Sequence, residues 1–193
     1  ANPLYTSGPN TTSGCTLGCT DVKIQPGSNP ERLFACFGVN QQDGLYRSTD
    51  GGDTWVQYGV PSNQGRMTFA FAPSNPDVAY ILMADNGSGA ARGQLVQVFR
   101  SLDAGDTWAA RVSLDTEFGP WLLSNIVLAT GCIPGGTYSQ GWYDNTIAVD
   151  PSDPDTVWVG GVDLLRSDDG GATWGLAAYW FYYQELPPPP YHC

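Results

Sequence analysis

Carboxylates and aromatic rings gather in two stretches of this 193-residue sequence. Residues 84–94 hold Asp85, Asn86 and Arg92, and residues 112–144 hold Asp115, Glu117, Trp121, Tyr138, Trp142, Tyr143 and Asp144. Rings stack on the apolar faces of pyranoses while acids bond hydroxyls or exchange protons, so this mixture is what a carbohydrate site uses. A glycoside hydrolase needs two carboxyl groups about 5 to 10 Å apart. Asp115 with Glu117, or with Asp144, are the candidate catalytic pairs, and sequence does not fix their separation. Asp85, Arg92, Trp121, Tyr138, Trp142 and Tyr143 are the candidate ligand-binding residues. A competing reading gives the longer stretch its own small core of Trp121, Leu122, Leu123, Ile126 and Val127, clamped by Cys132.

Other chemistries find little support. The sole histidine is His192, beside the C-terminus, so neither a Ser-His-Asp nor a Cys-His mechanism has its base in the body of the chain. Phosphate-loop and dinucleotide-binding patterns are absent. The run Asp150-Pro151-Ser152-Asp153-Pro154-Asp155 has the carboxylate density of a calcium site, but the same position in two sister repeats carries fewer acids, so a turn is the better reading. No cofactor and no metal is expected.

The elements that must position these residues are repeats. Ser48-Thr49-Asp50-Gly51-Gly52-Asp53-Thr54-Trp55, Ser101-Leu102-Asp103-Ala104-Gly105-Asp106-Thr107-Trp108 and Ser167-Asp168-Asp169-Gly170-Gly171-Ala172-Thr173-Trp174 all fit S-x-D-x-G-x-T-W. Each follows apolar residues and an arginine, Arg47, Arg100 or Arg166, so the unit reads as strand, tight turn, strand. Ser and Asp accept bonds from turn amides, Gly supplies positive φ, and Trp buries a large ring beside the hairpin. Upstream of each box lies a second hairpin with a proline-rich turn, at Pro26 to Pro30, Pro73 to Pro76 and Pro151 to Pro154. Together they predict three blades of four antiparallel strands, at about residues 21–58, 67–112 and 145–179, after a Ser/Thr/Gly-rich arm (1–20) and before an aromatic and proline-rich tail (180–193). The turns after odd-numbered strands share one end of such a meander. The boxes therefore occupy one end, and the insertions at 84–94 and 112–144 share the other, where loops on a rigid scaffold commonly carry function.

Composition agrees with an all-β fold. Charged residues are only 14% of the chain, while Gly (24) and Pro (15) are frequent, which favours short strands and many turns over long helices. A net charge of −11 repels phosphate backbones and anionic lipid, so neither nucleic acid nor a membrane surface is an expected partner. No apolar run is long enough to span a bilayer. The start at Ala1, the polar arm, the sequons at Asn10 and Asn86, and five cysteines (Cys15, Cys19, Cys36, Cys132, Cys193) without zinc-type spacing together suggest a secreted or cell-surface protein in which disulfides form.

The S-x-D-x-G-x-T-W box resembles the Asp-box, or BNR, repeat of sialidases, xyloglucan-degrading hydrolases, sortilin-type receptors and photosystem assembly factors. The P-S-N-P and P-S-D-P turns are similar to those of the last three groups, and the resemblance covers about 130 residues. It implies a β-propeller in which the box is a structural hairpin away from the ligand. Ser48, Asp50, Gly52 and Trp55, with Ser101, Asp103, Gly105 and Trp108, and Ser167, Asp169, Gly171 and Trp174, are thus structural residues. Sialidase chemistry fits poorly, because an arginine triad would have to come from Arg32, Arg66, Arg92 and Arg111, and no F-R-I-P motif is present.

Closed propellers usually need four to eight blades, and the box spacings of 53 and 66 residues leave no room for a fourth. Either two or more copies associate, or other chain has been lost, or the three blades stack as an open array whose exposed edges are covered by something else. Tyr179-Trp180-Phe181-Tyr182-Tyr183 is strongly β-prone and precedes the stiff Pro187 to Pro190 segment; it suits strand addition between subunits, and Cys193 suits an intermolecular disulfide. The alternative is that the aromatic run packs on its own third blade. The expectation is a non-catalytic structural or interaction protein whose partners are copies of itself, assembling into oligomers or filaments. The rival is a carbohydrate-binding or xyloglucanase-like protein taking polysaccharide.

Overall fold

A computed structural model describes residues 18–38, 44–57, 59–60, 65–85, 93–125 and 139–178. They form three four-stranded antiparallel sheets, each a meander in chain order. The first contains β1 (Cys19–Ile24), β2 (Leu33–Phe37), β3 (Leu45–Ser48) and β4 (Val56–Gln57); the second β5 (Met67–Ala72), β6 (Asn75–Ala84), β7 (Leu95–Ser101) and β8 (Ala109–Ser113); the third β9 (Thr146–Val149), β10 (Val157–Gly160), β11 (Leu164–Ser167) and β12 (Gly175–Ala178). The fold is all-β, in three propeller-type blades, as the repeats imply. Among the described residues no helix is long and apolar enough to cross a membrane.

The blades pack face to face, with β5 lying against both β1 and β9, so the first strands come together on the inner side of an open arc. The middle blade is covered on both faces. Successive side chains of a strand point to opposite faces, and β6 uses both: Ala79, Ile81 and Met83 enter a core shared with the first blade, while Tyr80, Leu82 and Ala84 enter one shared with the third. This is why residues 78–84 read as an uninterrupted apolar run. Burying Ile81, Leu82 and Met83 contributes roughly 1.5–3 kcal/mol each, which makes β6 the chief hydrophobic anchor of the array.

Leu122 and Leu123, which one of the two readings of the long insertion places in a small core of its own, enter the main core between the second and third blades, with Phe118 and Trp121 packed against it. Cys19 and Cys36 are free thiols, the first exposed and the second buried, and burial raises the Cys36 pKa strongly. Cys15, Cys132 and Cys193 lie outside the described residues, as does the segment 179–193.

Candidate functional site

The three boxes close in the same way. In the first, the Ser48 hydroxyl accepts the Gly52 amide at 2.8 Å and donates to Asp50 at 2.7 Å; Asp50 also accepts the Thr54 amide and hydroxyl at 2.9 and 2.6 Å. Ser101, Asp103 and Thr107 repeat these bonds, as do Ser167, Asp169 and Thr173. Gly52, Gly105 and Gly171 all take positive φ. The indoles of Trp55 and Trp174 donate back to Gly52 and Gly171 at 3.0 Å, whereas the Trp108 indole N–H is buried with no partner. Bonds from Thr54 and Thr107, the hydroxyls foremost, hold Asp50 and Asp103 at a pKa of about 2. At Asp169 burial opposes the shift, but the bonds from Thr173, Ser167 and Ala172 outweigh it and the value is again about 2. These carboxylates are committed acceptors within turns.

Each box is also tied to the proline-rich turn of its own blade. Its fourth residue donates its amide to the carbonyl of the residue after the second proline: Gly51 to Glu31, Ala104 to Asp77 and Gly170 to Asp155, at 3.0, 2.7 and 2.8 Å. The boxes and these turns therefore share one end of the array. In the Asp150 to Asp155 run, Asp150 accepts Ser152 and Asp153, and Asp153 accepts Asp155 and Thr156, which folds the run into its turn.

At the other end the insertions meet. The Gly93 carbonyl accepts the Gly141 amide at 3.0 Å, and the Gly93 amide donates to the Asp85 backbone carbonyl at 3.0 Å. A Cβ on Gly93 would stand 2.8 Å from the Trp142 indole, so glycine permits this approach. The structure thus brings Asp85 and Trp142 together around Gly93, with Tyr143, exposed, against Trp142 at 5.6 Å between centroids. Trp121 is half-buried against Phe118. Asp115 and Glu117 are exposed in the turn after β8, the outer strand of the middle blade, whereas Asp144 precedes β9, the inner strand of the third. The Ser113 hydroxyl binds Asp115 and lowers its pKa. Arg92, Asn86 and Tyr138 lie outside the described residues.

The surfaces that reasoning from sequence missed are the seams. In the first blade Lys23, Phe34 and Arg47 sit opposite one another across β1, β2 and β3; Ala70, Tyr80 and Arg100 do so in the second, and Ala148, Trp158 and Arg166 in the third. Phe34 stacks on Phe69 of the second blade at 4.9 Å, and Arg47, with Arg32 at 2.6 Å, ion-pairs with Asp106. Tyr80 donates its hydroxyl to Pro154 of the third blade at 2.8 Å, and Arg100 ion-pairs with Asp155. The row on the third blade meets no described sheet. There Arg166 lies 4.9 Å from the Trp158 ring centroid and pairs with its own Asp168 at 2.6 Å. The signal was present in sequence as an aromatic four residues after the second proline and an arginine before each box. Beside this row a cleft of about 730 Å³ is lined by Phe118, Trp158, Arg166, Asp168, Trp174 and Leu176.

The same fold occurs in solved structures of longer proteins. The chain is similar to the GH74 xyloglucanase from Xanthomonas campestris (TM-score 0.57, 14% identity, covering 84% of this chain and 23% of that one). It is also similar to an ancestral GH74 enzyme (TM-score 0.55, 22% identity, 81% and 18%) and to YCF48 bound to D1 peptide (TM-score 0.51, 16% identity, 85% and 41%). This chain is thus under half the length of each of them. At these identities the likeness shows a β-propeller fold alone. No family model matches the chain, and no curated protein matches it.

Proposed function

We propose that this chain is a secreted or cell-surface Asp-box repeat protein that serves as a non-catalytic structural or interaction module, associating with copies of itself through its two terminal blade faces and the aromatic segment 179–183. The observation that carries this reading is the asymmetry between blades: the middle blade is sealed on both sides, while Val22 and Ile24 on the first blade are 55% and 52% exposed and Leu164 on the third is 37% exposed. Open apolar faces of this kind mark interaction surfaces. The sequons at Asn10 and Asn86 suit an extracellular setting. A general acid for glycoside cleavage needs a raised pKa, and at the candidate Asp115 the bond from the Ser113 hydroxyl lowers it instead.

Light scattering of the intact chain with and without reductant tests the proposal. Multimers in both conditions are expected. A single-chain mass in both, or multimers that vanish on reduction, would contradict association through the faces.

A second reading, polysaccharide binding or hydrolysis at the insertion end, is favoured by the meeting of the two insertions at Gly93, beside Trp142 and the exposed Tyr143. Neighbouring folds include a xyloglucanase and a peptide-bound protein, so the fold does not choose between them. Binding of xyloglucan to the intact chain, lost on Trp142→Ala, would establish it; no retention on a xyloglucan matrix would end it.

A further inference from the structure

Each internal seam is made by an aromatic–arginine row on one blade and an apolar row plus an acid on the next, and the terminal blades present one half each. We infer that copies of this chain join head to tail through that same joint, the Trp158 and Arg166 face of one copy docking on the first blade of the next, where Asp53 and Glu31 receive Arg166. The inference rests on the self-association proposed above and names its contact.

The receiving half is as regular as the donating half. Phe69, Ile81 and Phe99 sit opposite one another on the face that the first blade covers, and Ile147, Val159 and Leu165 on the face that the second covers. The strand registers place Val22, Ala35 and Tyr46 at the same positions of the first blade, on a face that no described sheet covers; Val22 is exposed, Ala35 is buried and Tyr46 is half-buried with its ring edge-on to Phe37. All three rows are apolar or aromatic, so the first blade carries the surface against which an aromatic such as Phe34 or Tyr80 is packed elsewhere in the molecule.

Charge selects the occupant. The arginine before each box is received by an acid of the following blade: Arg47 by Asp106, the sixth residue of its box, and Arg100 by Asp155, the residue after the second proline. In the first blade those two positions are Asp53 and Glu31, and both are exposed. In the third, the corresponding arginine, Arg166, is held by the acid beside it, Asp168, which has no acidic counterpart in the other boxes, where Thr49 and Leu102 stand. A second copy therefore offers Arg166 both kinds of acceptor used in the internal seams, while offering Trp158 an apolar face. Two identical faces would meet arginine with arginine or acid with acid, and like charges brought together are unfavourable, so the arrangement is head to tail. Such contacts close into a ring or continue as a filament according to the rotation per copy.

The test uses two exposed-charge variants of the intact chain, Arg166→Glu and the double variant Asp53→Arg/Glu31→Arg, read by sedimentation velocity alone and mixed in equal amounts. Each alone is expected to fall to the mass of a single chain with an unchanged circular dichroism spectrum. The mixture is expected to recover multimers, because the reversed charges then face one another. Trp158→Glu supplies an independent donor-face variant with the same expected loss. If Arg166→Glu assembles as the unmodified chain does, or if the mixture stays at single-chain mass, the joint is wrong while self-association stands. A single-chain mass for the unmodified protein would instead overturn self-association itself.

Discussion

Arg100 of the second blade ion-pairs with Asp155 of the third, and it approaches so closely that a Cβ on Gly170 would stand 2.5 Å from its guanidinium. The contact joins two repeated features, the arginine before a box and the acid after a proline-rich turn, across a blade boundary rather than within a repeat. Asp155 is half exposed, so its Coulombic share is small and is screened by salt. A double-mutant cycle on Arg100→Ala and Asp155→Ala should give a coupling of about 0.5–1 kcal/mol at low ionic strength, shrinking in 1 M salt. Coupling unaffected by salt would mean that packing, not charge, holds this seam.

The Tyr80 hydroxyl crosses the same boundary to the Pro154 carbonyl, and burial pushes its pKa up to about 12. Tyr80→Phe keeps the ring in the core and removes one bond, so a loss of about 1 kcal/mol in urea unfolding is expected. A loss near 4 kcal/mol would show that the ring itself had moved.

Gly105 and Gly51 separate two effects of a left-handed backbone. Both have positive φ, but a Cβ on Gly105 would meet the Phe34 ring at 2.8 Å, whereas one on Gly51 meets nothing within 4 Å. Gly51→Ala should cost about 1–2 kcal/mol for conformation alone, and Gly105→Ala should cost about 1–3 kcal/mol more for displacing Phe34 from the first seam. Equal costs would contradict the close packing of that seam.

The depressed pKa values of the box carboxylates link the stability of the fold to pH. Asp50, Asp103 and Asp169 fall from an ordinary 3.8 to about 2 in the folded chain. A depressed folded-state pKa means that the unfolded chain binds protons first, so this contribution is complete above about pH 5 and is lost as pH falls through 4 toward 2. Melting temperature should therefore drop over that window, and the slope should flatten in the triple variant Thr54→Val, Thr107→Val, Thr173→Val, which removes one donor from each carboxylate. An unchanged slope would mean that other groups govern acid unfolding.

The hairpins were legible because they are local: eight residues carry Ser, Asp, Gly, Thr and Trp at offsets whose bonds span only two to four positions. Blade number followed from the three boxes and their upstream hairpins, and the shared end of the insertions from strand alternation. The seams were not legible in the same way. That Phe34, Tyr80 and Trp158 are counterparts emerges only once strand register puts each beside an arginine, and the partners of Arg47 and Arg100 lie 59 and 55 residues away. An apolar run such as Leu122 and Leu123 does not reveal which distant core it joins, so a small core within the insertion stayed one of two open readings. The insertion residues were legible as a cluster of types, but Asp115 and Asp144 border different blades, which composition could not tell.

Electron microscopy of the intact, unlabelled chain tests the central claim most directly. If the open faces of the first and third blades form a joint between copies, the images should show rings or filaments built from a repeating three-blade unit. A uniform field of single three-bladed particles, at concentrations well above those of the light-scattering measurement, would contradict it.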